Sequence, residues 1–318
     1  MARFAKNWRA WPVVASATAC ALLLSPLGAS GAAEREPVAQ ASAAHTRIVY
    51  LTSLRNAGIF AMNPNGTRRH RLRGGLVDAV SVSAGGRQMA FAHSRSTPCS
   101  RCPADSFVDV FVAGGNGRNA RKVRRFRHAH LFSLAMSFDG RRIVLSIYRG
   151  GSADLYLMRA NGRGVRRLTK DERDQSAASF SPNGKRIVFS QDDPAGTQIY
   201  SMRARGGDRR RLTGGAGFYG DPVYSPDGKR IAYTKTRGRN SEIFLMSSRG
   251  GDRHRVTTAR GAREDYAPDF SPNGRSIAFQ RRGGARFEIF TVRVDGSNLR
   301  RVARGAVDLL DPDWTRKP

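Results

Sequence analysis

The sequence is poor in cysteine, in acidic residues and in long apolar runs, and each shortage excludes a class of protein. Three cysteines in 318 residues are too few for a disulfide-rich scaffold or a four-cysteine zinc site. The only long apolar run lies at the N-terminus, which excludes a multi-span transporter. The remaining composition, 40% hydrophobic and 25% charged, is that of a chain able to bury a core.

Positive charge is in large excess. The chain has 55 Lys and Arg against 25 Asp and Glu, for a formal charge of +30, and only seven of the basic residues are lysines. Such an excess often accompanies a polyanionic partner. An arginine-rich codon usage would produce the same skew, so we do not expect a nucleic-acid partner.

The N-terminus has the three parts of a secretory signal peptide. A basic start (Arg3, Lys6, Arg9) precedes an apolar stretch over residues 13–27 and a run of small residues. We predict that residues 1–32 are cleaved, which leaves a mature charge of +27, and that residues 33–46 form a flexible leader. The protein is therefore predicted to be extracytoplasmic, either periplasmic or secreted.

From residue 48 onward the sequence repeats. A turn tetrad of Ser, Pro, Asp or Asn, and Gly precedes an apolar triplet, most clearly in residues 181–190, 225–233 and 271–279. In this tetrad proline presets φ, Asp or Asn bonds nearby backbone, and glycine takes the positive φ that closes a hairpin. The tetrad therefore predicts a turn between two strands and carries no catalytic chemistry.

The spacing of the repeats predicts the fold class. The apolar triplets begin at Ile48, Met89, Ile143, Ile187, Ile231 and Ile277, at intervals of 41, 54, 44, 44 and 46 residues. Units of this length with about four short strands are typical of propeller blades. We predict an all-β, six-bladed β-propeller of four-stranded antiparallel blades over residues 47–318. The segment around Trp314 supplies the strand that the first blade lacks and so closes the ring.

The longest interval carries an insertion at about residues 94–106, in the second blade. It contains Cys99 and Cys102, spaced C-x-x-C. In an exported protein this pair predicts a local disulfide in preference to a metal site.

The repeated pattern resembles the TolB-like, WD40-like β-propeller repeat family. The resemblance covers residues 48–314, with three close copies, two degenerate ones and one divided between the termini. It implies a propeller that binds protein partners at its channel face. TolB proteins also have an N-terminal α/β domain, which we do not expect here because only about 15 residues separate the signal from the first strand.

Acidic residues concentrate where the chain enters the innermost strands, around one mouth of the expected channel. We predict that partner contacts come from this group: Asp78, Asp174, Asp221, Asp265 and Asp311. Convergent carboxylates could also hold a cation such as calcium, although no resident cofactor is required. The alternative is that each Asp only caps its own strand-entry turn.

Arginines instead crowd into the fourth strand of each blade, which predicts a basic outer rim. An anionic wall polymer or a glycan could bind there. The pair His128 and His130 would face one side of a strand and could join a metal site. These features support an alternative function, an acidic-polysaccharide-binding protein or polysaccharide lyase.

The leading interpretation is an exported, non-catalytic propeller that binds a protein or peptide partner of the cell envelope at its channel mouth. We expect it to be a monomer. The sequence shows neither a fused catalytic domain nor a convincing nucleophile, so an enzyme is not the leading interpretation.

Overall fold

The computed structural model describes residues 46–53, 57–95, 106–258 and 263–317. The predicted signal peptide, nearly all of the leader, most of the 94–106 insertion and the pair Cys99 and Cys102 lie outside the described residues.

The described residues form 24 strands in chain order. The first three blades, with blade 1 completed by the last strand, have these bounds: β24 (Leu309–Arg316), β1 (Thr46–Thr52), β2 (Gly58–Met62) and β3 (His70–Gly74); β4 (Ala79–Val82), β5 (Gln88–Arg95), β6 (Phe107–Gly114) and β7 (Arg121–Arg127); β8 (His130–Met136), β9 (Arg142–Arg149), β10 (Ser152–Arg159) and β11 (Arg166–Arg167).

Blades 4, 5 and 6 follow the same plan. Their bounds are β12 (Gln175–Phe180), β13 (Arg186–Asp193), β14 (Gly196–Arg203) and β15 (Arg210–Arg211); β16 (Phe218–Tyr224), β17 (Arg230–Arg237), β18 (Asn240–Ser247) and β19 (His254–Arg255); β20 (Glu264–Phe270), β21 (Ser276–Arg282), β22 (Phe287–Arg293) and β23 (Arg300–Ala303). Within the described ranges no helix is long and apolar enough to cross a bilayer.

Every blade is an antiparallel sheet of four strands. In blades 2 to 6 the strand order follows the chain from the innermost strand outward, and blades 5 and 6 are joined by one parallel bridge between Ser241 and Glu264. In blade 1 the C-terminal strand β24 pairs with β1, from Thr46 opposite Arg316 to Thr52 opposite Leu309. The predicted fold class and ring closure are therefore confirmed.

The turn tetrad forms the hairpin that its chemistry predicts. In blade 4 the Ser181 hydroxyl accepts the N–H of Arg186 at 2.9 Å, and the Asn183 side chain accepts the N–H of Lys185 at 3.0 Å. Gly184 has φ of 63°, a conformation that costs glycine little. The turn between the first two strands is thus fixed by its own residues.

The core lies between neighbouring blades. One cluster joins Val144 and Leu155 of blade 3 to Phe180, Ile187 and Phe189 of blade 4, all buried. The same arrangement recurs around the ring. Because each sheet has two apolar faces, a single blade cannot bury its own core, and neighbours must pack to do so.

Candidate functional site

A cavity of about 600 Å³ lies where the six innermost strands meet. It is lined by residues of β4, β8, β12, β16, β20 and β24, together with the turns at one end. Small and apolar side chains form most of the wall on the side of blades 2, 3 and 4. The opposite side, formed by blades 5, 6 and 1, is acidic.

Four carboxylates, which we call the channel acids, line the cavity on three neighbouring inner strands: Asp221, Asp269, Asp311 and Asp313. Each is partly exposed to the lumen. Asp78 and Arg316 also contribute to the lining. One arginine therefore faces five carboxyl groups, and the axis of the propeller is acidic.

Local backbone geometry brings two of these acids into the lumen. Asp221 and Asp311 have positive φ, 50° and 48°, and each precedes a proline. Both occupy a bulge at which the register with the second strand shifts, between Gly220 and Val223 in one case. Asp tolerates this conformation better than most residue types. It is not required there, since Ala177 and Ala267 take φ of 46° and 49° at the equivalent bulges of blades 4 and 6.

Three channel acids also join neighbouring blades. Asp313 accepts the N–H of Val82 at 2.8 Å, and Asp269 accepts the N–H of Trp314 at 2.5 Å. Asp221 accepts the N–H of Ala267 at 3.2 Å. The innermost strands have an edge that faces the channel, so their free backbone donors need acceptors. One oxygen of each carboxylate provides that acceptor.

Asp311 differs from the other three. Its backbone N–H donates to the Gln280 side chain at 2.8 Å, but within the described part of the chain no hydrogen bond to its carboxylate was found. This carboxylate is therefore the channel acid most available to a ligand.

Desolvation makes the channel acids reluctant to ionise. Burial raises the pKa of Asp311 to about 6, and the nearby Asp221 carboxylate adds to the shift. Burial also raises the pKa of Asp313 to about 6, against the opposing N–H of Val82, the Ser81 hydroxyl and the Arg47 charge.

The other two acids shift in the same direction. Burial and then the Asp313 charge raise the pKa of Asp269 well above its usual value. Burial raises the pKa of Asp221, although its bonds to Ala267 and Thr234 oppose the shift. A cation entering the channel would stabilise the ionised form of all four.

The structure brings together only part of the predicted site. Asp221 and Asp311 line the cavity, and Asp78 lies at its edge, where its carboxylate accepts the Ser94 hydroxyl at 2.7 Å. Asp174 and Asp265, the other two residues predicted for the channel mouth, are not among the residues that line the cavity. Asp174 accepts the backbone N–H of Ala153, in the third strand (β10) of blade 3, at 2.7 Å.

Asp265 is fully buried in blade 6. It forms a bidentate ion pair with the equally buried Arg281, with N–O distances of 2.6 and 2.7 Å. The Arg281 guanidinium also lies over the rings of Phe279 and Phe290. Asp265 thus stabilises the interior of its blade, where it has no access to a ligand.

Asp269 and Asp313 were not among the predicted contact residues. Both directly precede the large residue that packs between blades, Phe270 and Trp314, and both follow a proline. In blade 2 the same position is held by Ser81, which accepts the N–H of Met136 at 3.1 Å. The repeat position directly before the large packing residue was therefore the sequence signal that could have identified these two acids as channel residues.

The two predicted metal-binding histidines do not share a strand. His128 is exposed in the turn between β7 and β8, with φ of 51°, whereas His130 begins β8 and is half-buried. No group of three or more His, Cys, Asp or Glu side chains within the described ranges could hold a metal ion. Calcium in the channel stays a prediction.

The predicted arginine rim is where the sequence pattern placed it. Both residues of each of the outermost strands β11, β15 and β19 are exposed, and β7 and β23 begin with exposed basic residues. The molecule is therefore a ring-closed six-bladed propeller with an acidic axis and a basic perimeter.

The chain belongs to the TolB beta propeller domain family, whose sequence profile matches residues 107–317. No curated protein matches the sequence. TolB from Acinetobacter baumannii is similar in structure, with a TM-score of 0.70, 21% identity, 85% of this chain covered and 66% of that protein. The chain thus spans less than two thirds of that TolB.

Two further structures show the same fold. A putative TolB from Agrobacterium tumefaciens has a TM-score of 0.64 and 19% identity over 86% of this chain and 99% of its own. A chain of a nidogen/laminin complex has a TM-score of 0.63 and 9% identity, over 85% of this chain and 98% of its own.

Proposed function

We propose that this protein is an exported, non-catalytic propeller that binds a protein or peptide partner of the cell envelope through its axial channel. The observation that carries the proposal is the convergence of the four channel acids on one side of a cavity large enough for side chains. Membership of the TolB propeller family and the signal-like N-terminus support export and a binding role.

The chemistry of the cavity defines the kind of partner. Carboxylates held above their usual pKa favour a ligand that supplies positive charge, because that charge relieves both desolvation and mutual repulsion. A Lys or Arg side chain, or the amino end of a peptide, fits this description. The apolar wall from blades 2, 3 and 4 would contact the aliphatic part of the same segment.

Binding by a basic segment has a geometric basis in Asp311. Its carboxylate faces the lumen, and Asp221 lies near enough to raise its pKa. Carboxylates that line one cavity can bind a guanidinium or ammonium group through charge-assisted hydrogen bonds. The bonds that Asp221 makes to Ala267 and Thr234 hold its carboxylate in place.

Pull-down from an envelope extract tests the proposal. The wild-type protein is compared with the double variant Asp221→Asn and Asp311→Asn, and with Asp252→Asn as a control on an exposed turn. The partner should be recovered by the wild type and the control and lost by the double variant. Equal recovery by all three would show that the channel is not the binding site.

A further inference from the structure

An open cleft of about 920 Å³ lies between blades 3 and 4 and shares no residue with the axial cavity. Seven of its eleven lining residues are cationic, and one, Asp139, is acidic. The cationic residues are Arg141, Arg142, Arg159, Lys185, Arg186, Arg203 and Arg205. We call this feature the basic cleft.

Two turns of each blade form the walls of the basic cleft. In blade 3 the turn after β8 is tied to the turn after β10 by the N–H of Ala160, which donates to the carbonyl of Arg141 at 2.8 Å. In blade 4 the N–H of Ala204 donates to the carbonyl of Lys185 at 2.9 Å. The backbone under the cationic side chains is therefore cross-linked in the same way on both sides.

Most of these charges are not neutralised by the protein. Among the described residues, Arg141, Arg142, Arg159, Lys185 and Arg205 take part in no ion pair. Asp139 is occupied within its own turn, where it accepts the Ser137 hydroxyl and the N–H of Arg141.

Arg142 is held in place across the blade boundary. Its guanidinium donates to the Gly184 carbonyl at 2.9 Å and lies over the Phe180 ring. This contact fixes one cation at the base of the cleft, while the exposed cations above it are free to reach a ligand.

The turn architecture recurs in other blades, but this concentration of charge does not. The last residue of the third strand is Arg159 in blade 3, Arg203 in blade 4 and Arg293 in blade 6, but Gly114 in blade 2 and Ser247 in blade 5. Among blades 2 to 6, only blades 3 and 4 are neighbours that both carry arginine there. A second cleft, between blades 4 and 5, shares Asn183 and Arg186 with the basic cleft and is lined by four cationic residues. Repeat packing does not require the two arginines.

We propose that the basic cleft binds an acidic glycopolymer through the carboxylate or phosphate groups along its chain. Six of the seven cations are arginines, whose planar fork pairs with either oxyanion in a bidentate manner. Asn183 adds an amide able to bond sugar hydroxyls. This site is separate from the channel and independent of the function proposed for it.

Two features of the lining disfavour other polyanions. Among the described residues no aromatic side chain lines the cleft, so these residues offer unpaired bases no surface on which to stack. Its apolar lining is limited to Ala204, which gives a membrane surface nothing to anchor by insertion.

The test compares two variants of equal charge in the full mature protein. The cleft variant carries Arg141→Gln, Arg159→Gln and Arg205→Gln, and the rim control carries Arg121→Gln, Arg166→Gln and Arg300→Gln. Binding to labelled oligogalacturonate and to labelled poly(glycerol phosphate) is measured by fluorescence anisotropy over a range of salt concentrations. Circular dichroism and thermal unfolding verify that both variants are folded.

The cleft variant should weaken binding to at least one of the two polymers by about tenfold or more and flatten its salt dependence. The rim control should change the Kd by less than about threefold. The two polymers distinguish carboxylate from phosphate as the preferred group. Equal losses of affinity in the two variants would overturn the proposal, because binding would then depend on total charge. Tighter binding of single-stranded DNA or of anionic lipid vesicles than of either polymer would also overturn it.

Discussion

Replacing Asp311 by Asn should stabilise the folded protein at neutral pH. The pKa of Asp311 is raised to about 6 in the folded state, against about 3.9 in an unfolded chain. Ionisation of this carboxylate therefore opposes folding. The difference of roughly two pKa units corresponds to about 2 to 3 kcal/mol at a pH above both values.

Asn suits this position for a second reason. Asp311 has φ of 48°, and Asn tolerates this left-handed conformation as well as Asp does. Alanine would add backbone strain and obscure the electrostatic effect. Because its carboxylate receives no hydrogen bond from the described residues, the amide should replace it without leaving a backbone donor unsatisfied.

The effect should depend on pH in a defined direction. Because the pKa of Asp311 is higher in the folded state, the folded protein is most stable when this carboxyl group is protonated. Its contribution to the free energy of unfolding is complete below about pH 4 and is lost as the pH rises through about 6. The variant should therefore exceed the wild type by about 2 to 3 kcal/mol at about pH 8, and the two should converge towards about pH 4.5.

Urea denaturation of the wild type and of Asp311→Asn across this pH range measures the difference. Asp252→Asn is the matched control, since Asp252 also has positive φ, 51°, but is exposed on a turn. Its effect should stay within about 0.5 kcal/mol. If Asp311→Asn destabilises the protein at about pH 8, or if its effect does not change with pH, the desolvation argument is refuted.

Three further outcomes follow from the structure. Arg281→Met leaves the Asp265 carboxylate buried without its partner and should lower the free energy of unfolding in urea by about 3 to 5 kcal/mol. Adding Asp265→Leu should recover part of that loss. A double variant whose loss equals the sum of the two single losses would contradict the ion-pair account. Deletion of residues 309–318 removes β24 and exposes the edge of β1, so the truncated protein should aggregate or lose its cooperative thermal transition, while an unchanged transition would contradict ring closure. Binding of a basic peptide should weaken by about tenfold or more as the pH falls from about 7.5 to 5, because the channel acids become protonated; a pH-independent Kd would place the peptide elsewhere.

The blades could be predicted from the sequence because their determinants are local. The Ser181 and Asn183 bonds that set the turn involve residues at most five positions apart. The apolar triplets then fix which strands face the neighbouring blades. Ring closure was predictable as well, since the first unit lacks a strand and the segment around Trp314 supplies one.

The site was predicted less well because bulges interrupt the alternation of side chains. In β20 the register shifts between Tyr266 and Asp269, so an extra residue separates Asp265 from Asp269. Strict alternation would place these two acids on the same face. The bulge instead leaves Asp265 in the interior beside Arg281 and brings Asp269 to the channel.

The same limitation applies to the histidines. Alternation requires continuous strand geometry, and the positive φ of His128 interrupts it. Backbone conformation at a single residue decided the outcome in both cases, with φ of 51° at His128 and of 49° at Ala267, which precedes Pro268 in the β20 bulge. At Asp221 and Asp311 the following proline is a partial signal, because it constrains the residue before it.

A crystal structure of the protein soaked with arginine amide most directly tests the acidic channel as a binding site. The account predicts density for a guanidinium group in the cavity, within hydrogen-bonding distance of the Asp311 carboxylate, and loss of that density in the Asp221→Asn and Asp311→Asn double variant. An empty cavity in the wild type, or density that persists in the double variant, would contradict it.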